Sequence, residues 1–386
     1  MRKLIIALGI VALAALPSFA RTVTLTLPDG SSWSYDLPDD VANIVDQHKS
    51  EIEEKLKENN VTSTQLDNAA TEVKKAYDDY VVSSLGTDHP YTVAKSGLND
   101  FADVIRGSLP DAQIQQNVWA NSWIGYLVQV GGEKFRPAFG LGLNVGAAKL
   151  DMAPLKKTCD AFKISMGGLP TTLGMPTVTV DARLGGVKVN DFELPFDVGF
   201  TISTFDSSKI SKLKSAIKPV SFDFFAIGFD VRYCVWKIEK FDTRLSVGAG
   251  YYYTKGAVNV AADEANAGLE FKSHNFNLNA QISTKLAFFR PFVGARFMFT
   301  NTSVDWYAKD INWKNILSDN NENIDKAISY GLLPSKFNGG VSGFKFYPVI
   351  QGGFCFDLAV IDLTFSASYD FVSKNYGGAF SLRFSL

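Results

Sequence analysis

The chain of 386 residues holds three histidines, His48, His89 and His274, and they bound its hydrolytic chemistry. Hydrolysis at neutral pH needs a base beside a nucleophile, with a further group to orient the base. His274 offers the best local combination, flanked by Ser273 and Asn275. Neighbours along a strand point to opposite faces, however, so adjacent residues do not supply a positioned partner. No catalytic residue is assigned, and a hydrolase ranks last among the readings below. Cys159, Cys234 and Cys355 are odd in number and widely spaced, with no CxxC unit, so they read as small buried side chains, with a disulfide between one pair as the alternative. No metal site and no cofactor is expected.

Charged residues form a second set. Arg136, Asp181, Arg183, Glu193, Asp197, Asp230, Arg232, Arg244, Arg296, Asp357, Asp362, Asp370 and Arg383 fall on the polar face of strand-like segments. Both signs occur in similar number. A ring of one sign would select ions; none is present. Two readings stand: a network of internal ion pairs, because buried charge must be paired, or a polar constriction that solutes cross. Gly140, Gly142, Gly199, Gly228 and Gly248 share that face. They either relieve bends in a small barrel wall or make room for something inside it.

These residues need strands to position them. Phe192, Leu194, Phe196, Val198, Phe200 and Ile202 alternate with Glu193, Asp197, Gly199 and Thr201. The same period of two runs through 135–146, 225–235, 244–253, 276–286, 293–299, 348–356, 361–371 and 376–386, and more weakly through 178–184. Connections alternate between short and long, the long ones near 149–176, 205–221, 255–273 and 302–343. Short periplasmic turns and long outer loops are the asymmetry of membrane barrels. Ten strands follow Phe135, and Trp119–Val130 is an eleventh candidate. Barrels of this class have even strand numbers, so the expectation is a closed all-β membrane barrel of ten or twelve antiparallel strands over residues 116–386. Trp306, Tyr307, Trp313 and Ile316 suit either a compact lid or a ligand-binding loop in 302–343.

Residues 1–20 read as a secretory signal peptide: Arg2 and Lys3, an apolar run Leu4–Leu16, then Ser18-Phe19-Ala20. Residues 21–115 form a different region. Val23, Leu25 and Leu27, then the turn Pro28-Asp29-Gly30, then Trp33 and Tyr35 predict a short hairpin, in the periplasm or the lumen. Helical spacing follows: Val41, Ile44, Val45, Ile52 and Leu56 on one face, a second helix opened by Thr62 and Gln65 and carrying Leu66, Ala70, Val73, Tyr77 and Val81, and a third over 93–105. The third, with Leu98, Phe101 and Ile105 as plug candidates, is expected to plug or cap the periplasmic mouth. Net charge is −2, so nothing points to nucleic acid.

Tyr376, Gly378, Phe380, Leu382, Phe384 and Leu386 alternate with small or polar residues to the end of the chain. This stretch resembles the closing strand of single-chain bacterial outer-membrane barrels. The resemblance implies outer-membrane location, contact with its lipid, and recognition of Tyr376–Leu386 by the barrel-assembly machinery. A helical segment ahead of a barrel is also similar to the fatty-acid outer-membrane transporters with their N-terminal plug, although those have more strands and no ligand motif carries over. The leading function is a passive channel or transporter for a small solute, with hydrophobic solutes among the candidates. The alternative is a closed structural or adhesive surface barrel.

Overall fold

The computed structural model describes residues 20–38, 45–69, 72, 85–130, 137–166, 170–209, 219–317 and 333–385. Residues 1–19 of the expected signal peptide, Val41 and Ile44, the helical face from Ala70 to Val81, Arg136 and Leu386 lie outside them.

Near the N-terminus, β1 (Ala20–Thr26) and β2 (Ser32–Pro38) form a two-stranded hairpin beside helix α1 (Lys49–Glu58). Val23, Leu25, Leu27, Trp33, Val45, Leu56 and Leu66 make its core. The hairpin does not enter the lumen; its apolar face is satisfied by the helical residues that follow it. Helix α2 (Pro90–Gln115) comes next, then β3 (Tyr126–Val130).

Ten strands build the barrel: β4 (Phe139–Asp151), β5 (Thr172–Val189), β6 (Phe192–Asp206), β7 (Val220–Ile238), β8 (Thr243–Ala261), β9 (Asn266–Ser283), β10 (Phe289–Lys309), β11 (Phe337–Leu358), β12 (Ile361–Asp370) and β13 (Tyr376–Ser385). Each pairs antiparallel with its neighbours, and β13 pairs back on β4 with Phe384 opposite Leu141, which closes the ring. Two short helices, α3 (Ala153–Ala161) and α4 (Trp313–Leu317), lie in the long connections. Of ten and twelve strands, ten is the count. The eleventh candidate, Trp119–Val130, runs inside the ring, and its end forms β3, which pairs parallel with β5 at the short-turn mouth.

Side chains of a strand alternate between faces, and here the outward set through the middle of the wall is apolar: Ile202, Ile227, Val247, Leu278, Phe297 and Phe380 are all exposed. An apolar outer surface on a closed ring, each strand of which is paired on both sides, belongs in hydrocarbon. No helix among the described residues is long and apolar enough to cross a membrane.

Several strands run further than the sequence pattern indicates. The expected long loop 255–273 is mostly strand, and β8 and β9 turn only at 262–265. The reason is a change of which face is apolar. On β10 the outward residues Val293 and Phe297 are apolar, but beyond Thr302 it is the inward Val304, Trp306 and Ala308 that are apolar and buried. On β9 the switch falls between Phe271 and Phe276: Leu269 and Phe271 are buried, while Phe276 and Leu278 are exposed. Toward the long-loop mouth the ring therefore encloses an apolar core and presents polar residues such as Glu270 and Lys272 outward. Trp306, Trp313 and Ile316 belong to that shared core rather than to a separate lid.

Trp306 is 2% exposed and its indole Nε1 donates to Asn99 Oδ1 of α2 at 2.9 Å. Trp306→Ala is expected to destabilise the barrel by about 3–5 kcal/mol. The midpoint of the heat-dependent gel shift in detergent should drop, whereas the lipid-facing Phe297→Ala should move it far less.

Candidate functional site: the filled lumen

Helix α2 enters the ring at the long-loop mouth. His89 caps it, its Nδ1 accepting from the backbone N–H of Tyr91 at 3.2 Å, and Pro90 fills the first turn, where no intrahelical partner is lost. Tyr91, Ala94, Leu98, Phe101 and Ile105 are buried against α3, Trp306, Trp313 and the upper ends of β7 to β10. Gly97 permits the close crossing of α3, since a Cβ there would lie 2.3 Å from Thr158 Oγ1. Leu98, Phe101 and Ile105 thus sit under the long loops. This corrects the expected position at the short-turn, periplasmic mouth. The apolar residues that receive them, such as Leu269 and Phe271, lie at the other end.

Below Ile105 the contacts become polar. Pro110 cannot donate to the carbonyl of Arg106, and the Tyr347 hydroxyl donates to that oxygen instead, at 3.4 Å. Gln113 Nε2 donates to Thr254 Oγ1 at 2.8 Å, and Asn275 Nδ2 donates to Gln113 Oε1 at 2.6 Å. Gln115 Nε2 donates to Ser368 Oγ at 2.6 Å. The chain then leaves the helix and descends without regular structure.

Asn117 and Trp119 meet the charged wall at mid-lumen. Arg183 on β5 is paired with Asp197 on β6 and with Asp230 on β7, the latter at 2.7 Å. Arg232 grips Asp197 through both Nε and Nη2 at 2.9 Å, and Arg383 grips Asp181 at 3.1 and 3.0 Å. These forked pairs are the geometry in which a buried guanidinium is best compensated. Asn117 donates from Nδ2 to Asp230 and to the Tyr252 hydroxyl, and its own carbonyl accepts from Arg296 Nη2 at 2.7 Å. The Trp119 indole is contacted by two cations, with Arg183 at 5.3 Å and Arg383 at 4.5 Å from the ring. Each such contact is electrostatically favourable. Gly140 provides the space, because a Cβ there would come within 2.4 Å of the indole. The void left among Asn117, Trp119, Arg183 and Asp230 is about 10 Å³, room for one water at most.

At the short-turn mouth a void of about 220 Å³ is lined by Asp242, Arg244, Lys285, Arg290, Asp357 and Asp362 among others. Arg244 holds Asp242 at 2.6 Å and lies over the Trp123 ring at 5.2 Å. Lys285 and Arg290 pair with Asp357 at 2.5 and 3.5 Å. Asp362 accepts from Ser385. One residue of the expected lumen set lies elsewhere. Glu193 is at the exposed end of the β5–β6 hairpin, bound by Lys188 and by the Tyr126 hydroxyl. Asp370 is inward and fully buried at the long-loop end of β12, where it accepts from the backbone of Val372 and Ser373.

His274 points outward from β9, its Nδ1 2.7 Å from the Tyr251 hydroxyl, while Ser273 and Asn275 point inward and are buried. His48 is exposed beside Glu51 at 3.5 Å. The three cysteines are free and buried. No group of three or more metal-ligating side chains occurs among the described residues.

The ring is closed, its belt is apolar and its charges are turned inward. The protein is a ten-stranded membrane β-barrel. No protein-family model and no curated relative matches the chain. Among solved structures it is similar to the translocator domain of the autotransporter NalP from Neisseria meningitidis, at 10% identity over 74% of this chain and 99% of that one, with a TM-score of 0.36. It is also similar to the outer-membrane protease OmpT from Escherichia coli, at 10% identity over 64% and 95%, TM-score 0.35, and to a Pseudomonas aeruginosa FadL homologue, at 8% identity over 64% and 89%, TM-score 0.20. These are likenesses of fold.

Removing Asp197 leaves Arg183 and Arg232 buried together without their shared carboxylate. Asp197→Ala is expected to cost about 3–5 kcal/mol, read by denaturant unfolding in detergent. Glu193→Ala, at the exposed hairpin end, should stay within about 0.5 kcal/mol.

The cap of α2 is sensitive to pH. Burial holds the His89 imidazole below its ordinary value, and only the neutral ring accepts from Tyr91 N–H. A depressed value means that the stabilisation is present above about pH 6.5 and disappears as pH falls through the lowered one. Acidification should therefore cost about 1 kcal/mol, the worth of a cap, and His89→Asn, which caps at any pH, should abolish this dependence.

Proposed function

We propose that this protein is a closed structural barrel, a membrane anchor sealed by its own N-terminal segment, rather than a resting pore. The observation that carries this reading is the mid-lumen seal, where Asn117 and Trp119 are bonded to or packed on Arg183, Asp230, Arg296 and Arg383 and leave about 10 Å³ empty. A pore that conducts at rest needs a continuous wet path. The seal instead draws on charge pairs that span β5, β6, β7 and β13. In this reading Tyr376–Leu386 is the segment offered to the barrel-assembly machinery.

One observation favours the channel reading. The hydroxyls of Thr177, Thr179, Thr201, Ser246 and Thr300 face inward without hydrogen-bond partners. A wall of that kind would be wetted if the plug left, and a small solute could then pass. Planar-bilayer recording separates the two. Wild-type protein is expected to be silent and a variant lacking residues 21–125 to conduct; steady conductance by the wild type would overturn the anchor reading in favour of a channel.

A further inference from the structure

The direction of the plug fixes where the rest of the N-terminal region can be. Leu85 and Tyr91 pack into the core beneath the long loops, with Phe162, Trp313 and Phe337 as neighbours. From there the chain only descends: Ile114 packs on Met298 and Val349, Val118 and Ala120 on Phe292 and Cys355, and Trp123 reaches the backbone carbonyl of Phe196. Everything before residue 85 therefore joins the barrel from the long-loop side. Two routes lead back to the other side, and both are shut. The lumen is occupied by α2 and residues 116–125. The outside of the wall is lipid, where a hairpin with exposed Thr22, Thr24, Thr26, Ser32 and Ser34 does not belong.

Residues 20–69 are also a unit in their own right. Their core is made by Val23, Leu25, Leu27, Trp33, Val45, Leu56 and Leu66, and among the described residues no barrel residue joins it. Glu53 Oε1 accepts from the backbone N–H of Thr26 at 2.7 Å, tying α1 to β1, and Trp33 Nε1 donates to Asp67 at 2.8 Å, tying β2 to the next helical turn. The other face of the hairpin is a flat set of hydroxyls, with Thr24 opposite Ser34 at 3.0 Å and Thr26 opposite Ser32. A tail that served only as filling would need neither a separate core nor a hydroxylated outer face.

Membrane barrels of this architecture place long loops outside the cell and short turns in the periplasm. We infer that residues 20–69 are a small folded unit displayed on the outer surface of the cell, tethered through the lumen by α2, with the barrel as its anchor. This rests on the sealed-anchor reading and supplies what is anchored. It replaces the periplasmic or luminal position expected for the hairpin from sequence. The helix that fills the lumen is about 10–12 Å across with its side chains, so a hairpin with helices beside it does not fit through the same opening. The unit must reach the surface before it folds, or while the ring is still open.

Site-selective labelling of intact cells tests this. The native cysteines are buried, so a single introduced thiol reports its own side. Thr24→Cys lies on the hydroxyl face, Lys209→Cys at the long-loop end of β6, and Lys240→Cys in the β7–β8 turn, and all three positions are exposed. With a large polyethylene-glycol maleimide that cannot cross the outer membrane, Thr24→Cys and Lys209→Cys should show the gel shift of the labelled chain in intact cells. Lys240→Cys should shift only after permeabilisation. If Thr24→Cys follows Lys240→Cys, the inference is overturned. Each variant is first checked for the heat-dependent mobility of a folded barrel. An epitope inserted at Asp29-Gly30 gives a second readout, since antibody binding to intact cells supports display and binding only to permeabilised cells refutes it. Conductance does not enter this test, so a failed anchor reading and a failed display inference give different results.

Discussion

Backbone N–H and C=O groups in hydrocarbon have no water to bond, and this constraint shapes the whole protein. The sheet must close, which the pairing of β13 with β4 achieves. Once closed, it has an inside cut off from lipid and, at mid-height, from bulk water. Polar side chains that cannot face acyl chains turn inward, and there they must find partners in a confined space. The pairs Arg183–Asp197, Arg232–Asp197 and Arg383–Asp181 are one consequence. The inward Asn117 and Trp119, which complete those groups' surroundings, are another.

Much of this was legible in the sequence because a strand in lipid has to alternate. The parity of Arg183, Asp197, Asp230, Arg232, Arg296 and Arg383 places them inward, and inward they are buried. Glu193 has the same parity as its neighbour Asp197 but lies where the strand has left the wall, so parity alone misplaces it. The upper strand segments were hidden for a different reason. Above the membrane the apolar face is the inner one, so Leu269 and Phe271 break the pattern set by Phe276 and Leu278 although the strand continues. A search for a period of two that allowed the apolar face to exchange sides would have found them.

The plug was legible only as an amphipathic helix. Its apolar half, Leu98, Phe101 and Ile105, says that it is buried but not at which end. The run Gln113-Ile114-Gln115-Gln116-Asn117 was the unread signal. So many amides at the end of an apolar helix call for buried partners, and Thr254, Asn275, Ser368 and Tyr252 supply them. Trp119 could not be assigned from its own neighbourhood, since its two cations come from β5 and β13, far apart in the chain.

The parallel strand β3 gives the lumen segment a mechanical stop. It pairs with the descending β5 from Tyr126 opposite Gly186 to Val130 opposite Val189, and Ala138 N–H then bonds the Tyr126 carbonyl as the chain turns back into the wall. A tug from the long-loop side acts along β3, so its ladder is loaded in shear, with every bond sharing the force. Hairpin strands pulled apart at one end would part bond by bond. The lumen segment is therefore held like a barb, firm against withdrawal toward the loops, and the short stretch between Val130 and Phe139 sets how far it could ever slip.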